Sequence, residues 1–311
     1  MTDIHTHAED AHDNAYAGLL VNDAHWAFGT SFEDPLAGVD TTIPEGVDGA
    51  ALAAYCLMLG DDALVLSQRL CEWCSRAPDL EEDIALANIA LDLLGQARLL
   101  LARAAAADPA VVPALDATSP IPDEDRLAFF RDDMGFRNVR LAEVPNGDFA
   151  DAVVRILLFS TWRLALFERL ARSRDGVLAA VAAKGVKELA YHRDYAARWF
   201  LTLAGGTDES RSRLVAALDA LWPLWPELFE THEIERAVAD AGVGVDPAEV
   251  AADVEAILDQ VLATAGIERP ECGALAGVQG RKGRDGRHTE ALSPMLAEMQ
   301  SVARAHPEGL W

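Results

Sequence analysis

Positive charge is what this chain has least of. Its 311 residues carry 26 Lys and Arg against 51 Asp and Glu, a formal net charge of −25. So large an acidic excess argues against nucleic acid or an anionic membrane as partner, because their phosphates would be repelled. The few basic residues are almost all Arg. Long uncharged apolar runs are also missing: charges interrupt every hydrophobic stretch, so no membrane span is expected. The opening, Met1-Thr-Asp-Ile-His-Thr-His-Ala-Glu-Asp, lacks the basic-then-apolar order of a signal peptide. A cytoplasmic protein with its four Cys reduced is therefore expected. No glycine-rich phosphate loop is present, since Gly273-Ala-Leu-Ala-Gly277 is too loose, and no Ser-His-Asp or Cys-His set can be argued. Cys71-Glu-Trp-Cys74 has a redox spacing, but it lies inside a helical pattern and Cys56 and Cys272 stand alone. Core packing is the expected role of these thiols.

What is abundant is apolar surface at helical spacing. Hydrophobic residues make up 51% of the chain, and nothing reads as a sheet, so the fold class is all-α. Residues 1–47 form an extension rich in His, Asp and Gly; His5, His7 and His12 there read as a solvated cluster, without the fixed geometry a metal needs. From Ala51 the helical pattern begins. A first helix ends near Pro78. Asp79 with Glu82 caps a second that runs to about Ala107. A Pro-rich stretch with Pro109, Pro113, Pro120 and Pro122 then supplies a long crossover. Asp148 caps a third long helix, and a fourth runs from Val177 to Leu203. These four define a core bundle over about 51–205. Accessory helices and a basic loop fill about 207–311, with Pro223 and Pro226 shortening the first of them. Residues 48–311 are thus expected to be one helical domain.

Polar stripes mark the otherwise apolar bundle. The second helix places Asn88, Asp92 and Gln96 at four-residue steps, and the fourth places Lys184, Glu188 and His192 likewise. A carboxylate di-iron bundle needs a Glu from each of two helices and Glu-x-x-His from each of the other two. Here the positions are degenerate. Glu72 stands on one stripe with Gln68, while Leu93 and Gln96 occupy the place of a Glu-x-x-His. The third helix offers Ser160, Thr161 and Trp162 and no acid until Glu168; Glu188 and His192 are four residues apart where the motif wants three. Leu cannot ligate and Gln is a poor neutral substitute, so no metal is expected on this chain. Two alternatives remain. Glu72, Asp92, Gln96, Lys184, Glu188 and His192 form a buried hydrogen-bonded network, with Lys184 supplying charge beside Glu188; or some of these stripes face solvent or a partner. Trp73, Trp162, Trp199, Trp222 and Trp225 read as core or interface anchors. The loop Arg281-Lys-Gly-Arg-Asp-Gly-Arg287 is the one concentrated basic patch. Arg281, Lys282, Arg284 and Arg287 are candidates for contacting phosphates, such as those of a coenzyme A ester, or an acidic partner, unless the loop is simply solvated.

Several long motifs carry a family resemblance. They are Leu59-Gly-Asp-Asp-Ala-Leu-Val-Leu-Ser-Gln-Arg-Leu-Cys-Glu-Trp-Cys74, Leu86-Ala-Asn-Ile-Ala-Leu-Asp-Leu-Leu-Gly-Gln-Ala-Arg98, Glu143-Val-Pro-Asn-Gly-Asp-Phe-Ala-Asp151, Lys187-Glu-Leu-Ala-Tyr-His192 and His288-Thr-Glu-Ala-Leu-Ser-Pro-Met-Leu-Ala-Glu-Met-Gln300. Over about Ala51 to Trp311 the chain resembles the C subunits of ring 1,2-phenylacetyl-CoA epoxidases; residues before that lie outside the likeness. The resemblance implies a ferritin-like four-helix bundle and a non-catalytic structural subunit, with no catalytic residue and no cofactor of its own. The implied partners are a catalytic A subunit holding the di-iron site, a small B subunit, and a reductase with flavin and iron–sulfur groups fed by NADPH. The implied substrate of the complex is phenylacetyl-CoA. A stand-alone di-iron oxidase or iron handler is the competing enzyme reading, and it would need acids or His at Leu93, Gln96 and Thr161. A pure interaction protein is the third.

Overall fold

Asp48 accepts a hydrogen bond from the Ala50 N–H and so starts the first long helix, α1 (Gly49–Cys71). The computed structural model describes residues 36, 38–116 and 119–309. Of the extension expected over 1–47, residues 1–35 and 37 lie outside the described residues, and with them His5, His7 and His12.

Asp79 caps α2 (Leu80–Ala107) through the Glu82 N–H. The expected reciprocal bond from Glu82 is replaced: its carboxylate accepts from the Tyr195 hydroxyl and from Trp199 Nε1 instead. The crossover contains α3 (Asp123–Phe129) and the single turn α4 (Arg140–Glu143). Asp148 then caps α5 (Phe149–Leu170) in a capping box with Asp151, and Asp175 caps α6 (Gly176–Gly205). Beyond the bundle come α7 (Asp208–Leu221), α8 (Glu233–Asp240), α9 (Ala251–Ala265), α10 (Leu292–Met299) and α11 (Ser301–Ala305). Pro223 and Pro226 convert the segment after α7 into a 3₁₀ stretch, Trp222–Phe229, because neither can donate an intrahelical N–H bond. No strand occurs among the described residues; the protein is all-α, consistent with a ferritin-like bundle.

Side-chain pairings fix the helix directions. Ser67 Oγ donates to Ala90 O at 2.7 Å, and Gly60 of α1 faces Leu100 and Leu101, so α1 and α2 run antiparallel. Gln96 meets Glu188, Asp92 meets His192 and Glu82 meets Tyr195, so α2 and α6 are antiparallel too. Gly185 permits α6 to approach α5, since a Cβ there would lie 2.7 Å from the Phe167 ring. Leu52, Met58, Leu66, Ile89, Leu93, Leu100, Ile156, Leu157, Phe167, Leu189 and Phe200 fill the space between.

By length and composition α1 and α2 are each apolar enough to cross a membrane, which corrects the expectation that no stretch reaches that length. The apolar window of α1 is 78% buried inside the protein. The charges within it, Asp61 and Asp62, are fully buried as well.

These two carboxylates anchor the remainder of the chain. Asp61 takes both terminal nitrogens of Arg131 and, at 2.9 Å, the Arg137 N–H. Asp62 takes Arg284 in a fork, at 2.9 and 3.0 Å, and the Val139 N–H at 2.7 Å. Arg284 also donates to Met58 O and Arg137 O, and its Nε lies 3.4 Å from Glu235 of α8. The crossover and the loop before α10 are thereby clamped onto one turn of α1. Gly286, at φ +69°, completes that loop: a Cβ would sit 2.3 Å from Met134 O. Beside it, Glu143 accepts from Asn138 Nδ2 at 2.8 Å, from His288 Nδ1 at 2.7 Å and from the Thr289 N–H.

Removing one member of a buried charge pair strands the other and costs about 3–5 kcal/mol. Asp62→Ala is therefore expected to lower Tm by on the order of 10 °C, read by thermal denaturation; a loss within experimental error would show the clamp to be dispensable. His288 gives a pH signature. Both ring nitrogens face acceptors, Glu143 Oε2 and Phe136 O, which only the imidazolium satisfies. Burial opposes its charge, but the hydrogen bond to Glu143 and the nearby carboxylate charge outweigh that and raise its pKa. The contribution is complete below the unfolded value of about 6.5 and disappears as pH rises through the raised folded value. The Tm gap between wild type and His288→Asn should be widest near about pH 6 and narrow toward about pH 9. An equal gap at both ends would contradict a charged His288.

Candidate functional site

The polar stripes converge on the bundle centre through a residue that the sequence did not single out. Arg163, on the inner face of α5 and fully buried, donates from Nε to Gln96 Oε1 at 3.1 Å and from Nη2 to Leu59 O at 3.0 Å. Among the described residues its Nη1 has no hydrogen-bond partner; it lies 3.9 Å from Asp62 Oδ2. The guanidinium stands over the Phe167 ring, 4.5 Å from its centroid, and 5.7 Å from that of Phe159. Gln96 in turn donates from Nε2 to Glu188 Oε2 at 2.9 Å, and Lys184 Nζ sits 3.4 Å from Glu188 Oε1. One chain of polar contacts thus crosses all four long helices: Asp62 on α1, Gln96 on α2, Arg163 on α5, Glu188 on α6. Burial lowers the Arg163 pKa to about 10, with Asp62 opposing that shift, so the side chain is a cation at neutral pH.

The six residues read as one network fall into three groups. Gln96, Glu188 and Lys184 share the central chain, and the Lys184 side chain is half exposed. His192, itself buried, bonds Asp92 at 3.0 Å, one turn away and near the surface. Glu72 belongs to a different end of the bundle: it pairs with Arg69 at 2.9 Å and accepts from Asn146 Nδ2 at 2.9 Å. Leu93 is a buried apolar side chain. Thr161 spends its hydroxyl on Leu157 O at 2.6 Å, one turn back in its own helix.

These residues do not fit a di-iron group. Among the described residues no cluster of three or more His, Cys, Asp and Glu has an arrangement that could hold a metal. A divalent cation between Gln96 and Glu188 would also sit beside the Arg163 guanidinium, where like charges repel strongly at low dielectric.

The basic loop is divided. Arg284 is buried and engaged by Asp62 and Glu235, and Lys282 pairs with Glu230. Arg281 and Arg287 are exposed. The Cys-x-x-Cys pair, expected in the core, is exposed at the end of α1; only Cys56 is buried. That expectation is corrected because α1 ends at Cys71 and the chain turns outward there. The buried ion pairs of Asp61, Asp62, Arg131, Arg163 and Arg284 were missed. Their local signals were two adjacent acids in the middle of the apolar α1 and an arginine inside the apolar run of α5.

With this geometry in place, comparison with known proteins is informative. A family model described as phenylacetic acid catabolic protein matches residues 39–311. The chain is 45% identical over 260 residues to the C subunit of 1,2-phenylacetyl-CoA epoxidase from Escherichia coli (strain K12), an alignment spanning 84% of this chain and 99% of that protein. This chain belongs to the phenylacetic acid catabolic protein family.

Proposed function

We infer that this chain is the C subunit of a phenylacetyl-CoA epoxidase, a multicomponent monooxygenase of aerobic phenylacetate degradation, and that its role there is structural. The observation that carries this is the 45% identity reaching across nearly the whole length of the Escherichia coli C subunit. The bundle centre supports the structural role: Arg163 and Gln96 occupy it, and Leu93 and Thr161 offer no carboxylate or imidazole. The working unit is residues 48–311, a core bundle over 51–205 with accessory helices over 207–311. Catalysis belongs to a di-iron A subunit, with a small B subunit and a flavin and iron–sulfur reductase fed by NADPH completing a cytoplasmic complex. Arg281 and Arg287 are the exposed cations of the loop, and coenzyme A phosphates or an acidic surface are the contacts assigned to them.

The A subunit docks on α2. That helix turns Leu80, Ile84, Leu91 and Leu94 to solvent, 45–69% exposed, at spacings of four, seven and three that keep them on one face. Tyr191 of α6, also exposed, neighbours the His192 that bonds Asp92. A monomer rarely leaves such a stripe open, and a helix of a related bundle fits it by shape.

Co-expression with the A subunit tests both points. Wild type should co-purify, with all iron assigned to the A subunit. Leu91→Asp with Leu94→Asp should abolish co-purification while leaving the Tm of the free chain within about 2 °C, whereas Val302→Asp, equally exposed elsewhere, should do neither. Full assembly by the α2 variant would move the interface to another face. Glu188→Ala should weaken folding or assembly without changing iron per A subunit; loss of iron with assembly intact would contradict the structural role.

A further inference from the structure

We propose that Arg163 is the internal cation of this bundle: its guanidinium joins the carboxylate side of α1 to that of α6 across the centre and supplies there the positive charge that a carboxylate bundle otherwise takes from metal. The proposal concerns this chain alone and stands or falls independently of its partner.

Arg163 is the fully buried cation of the centre. Asp62, Glu188 and Glu235 face Arg163, Arg284 and Lys184, with burial pushing the Glu235 carboxyl up from its ordinary value. Asp62 and Glu235 are shared with Arg284, and Lys184 reaches Glu188 from a half-exposed position on the rim. Without Arg163, among the described residues, no fully buried cation remains between Asp62 and Gln96. Asp62 would keep Arg284 and Glu188 would keep Lys184, but Gln96 Oε1 and the Leu59 carbonyl would lose their buried donor.

The geometry also explains why the cation is a guanidinium. Its edges point three ways: Nε to Gln96, Nη2 to the Leu59 carbonyl, Nη1 toward Asp62. Its flat face lies over Phe167. A lysine ammonium keeps the charge but cannot present a planar fork and a stacking face together. The Leu59 carbonyl belongs to a helix turn ending one residue before Gly60-Asp-Asp, so Arg163 reads the same turn of α1 that clamps the crossover and the loop before α10.

The experiment is a series at this position in the full chain, followed by thermal unfolding: Arg163→Lys, Arg163→Met and Arg163→Ala. Lys should retain part of the stability, whereas Met, close in size and apolar, should lose about 10 °C or more. Millimolar methylguanidinium should raise the Tm of Arg163→Ala and leave wild type unmoved, while N-methylurea, its neutral analogue, should do nothing. If Met and Ala do not fold, Arg163→Met combined with Glu188→Gln, which removes an anion with the cation, should recover soluble protein. Met at least as stable as Lys, equal effects of the two small molecules, or no recovery in the double variant would each overturn the proposal.

Discussion

Two adjacent carboxylates in the middle of an apolar helix set the terms for the whole molecule. Asp61 and Asp62 are fully buried, and buried charge is tolerated only where partners and hydrogen bonds surround it. Neighbours in a helix point about 100° apart. Asp61 takes Arg131 and the Arg137 N–H of the crossover, while Asp62 takes the Val139 N–H there and Arg284 of the C-terminal loop, with Arg163 close by. Helices that would otherwise slide on one another as greasy cylinders are held in register by directional contacts at one turn. The apolar side chains supply the driving force; the acids select the arrangement.

The same choice bears on function. The centre of the bundle is crossed by Asp62, Arg163, Gln96 and Glu188, which pair largely with one another. The bundle leaves an apolar α2 face exposed, which suits a supporting subunit. In the epoxidase reading, redox chemistry sits in a related bundle, and this one contributes form.

Much of this was legible in the sequence. Apolar spacing located the four long helices, Asp79 and Asp148 act as caps with ordinary chemistry, and Pro223 and Pro226 broke the segment after α7 as proline must. Leu93 and Gln96 could be read as poor ligands from residue type alone, because a missing acid is a local fact. The ion pairs were not, because their partners are remote: Asp62 and Arg284 are 222 residues apart. For that reason Arg284 looked like part of a surface patch when it is the buried counter-charge of α1. Arg163 escaped notice inside the apolar run of α5, although a charged residue in such a run must find a partner. Glu72, on one stripe with Gln68, was joined to Gln96 as a candidate member of one network; Arg69 and Asn146 hold it elsewhere.

The most direct test is an experimental structure of this chain with its catalytic partner, with anomalous diffraction collected at the iron edge. The account predicts iron peaks in the partner bundle only, and in this chain the Arg163 guanidinium between Gln96 and Asp62. An anomalous peak between α1, α2, α5 and α6, with Arg163 turned away from it, would contradict the account.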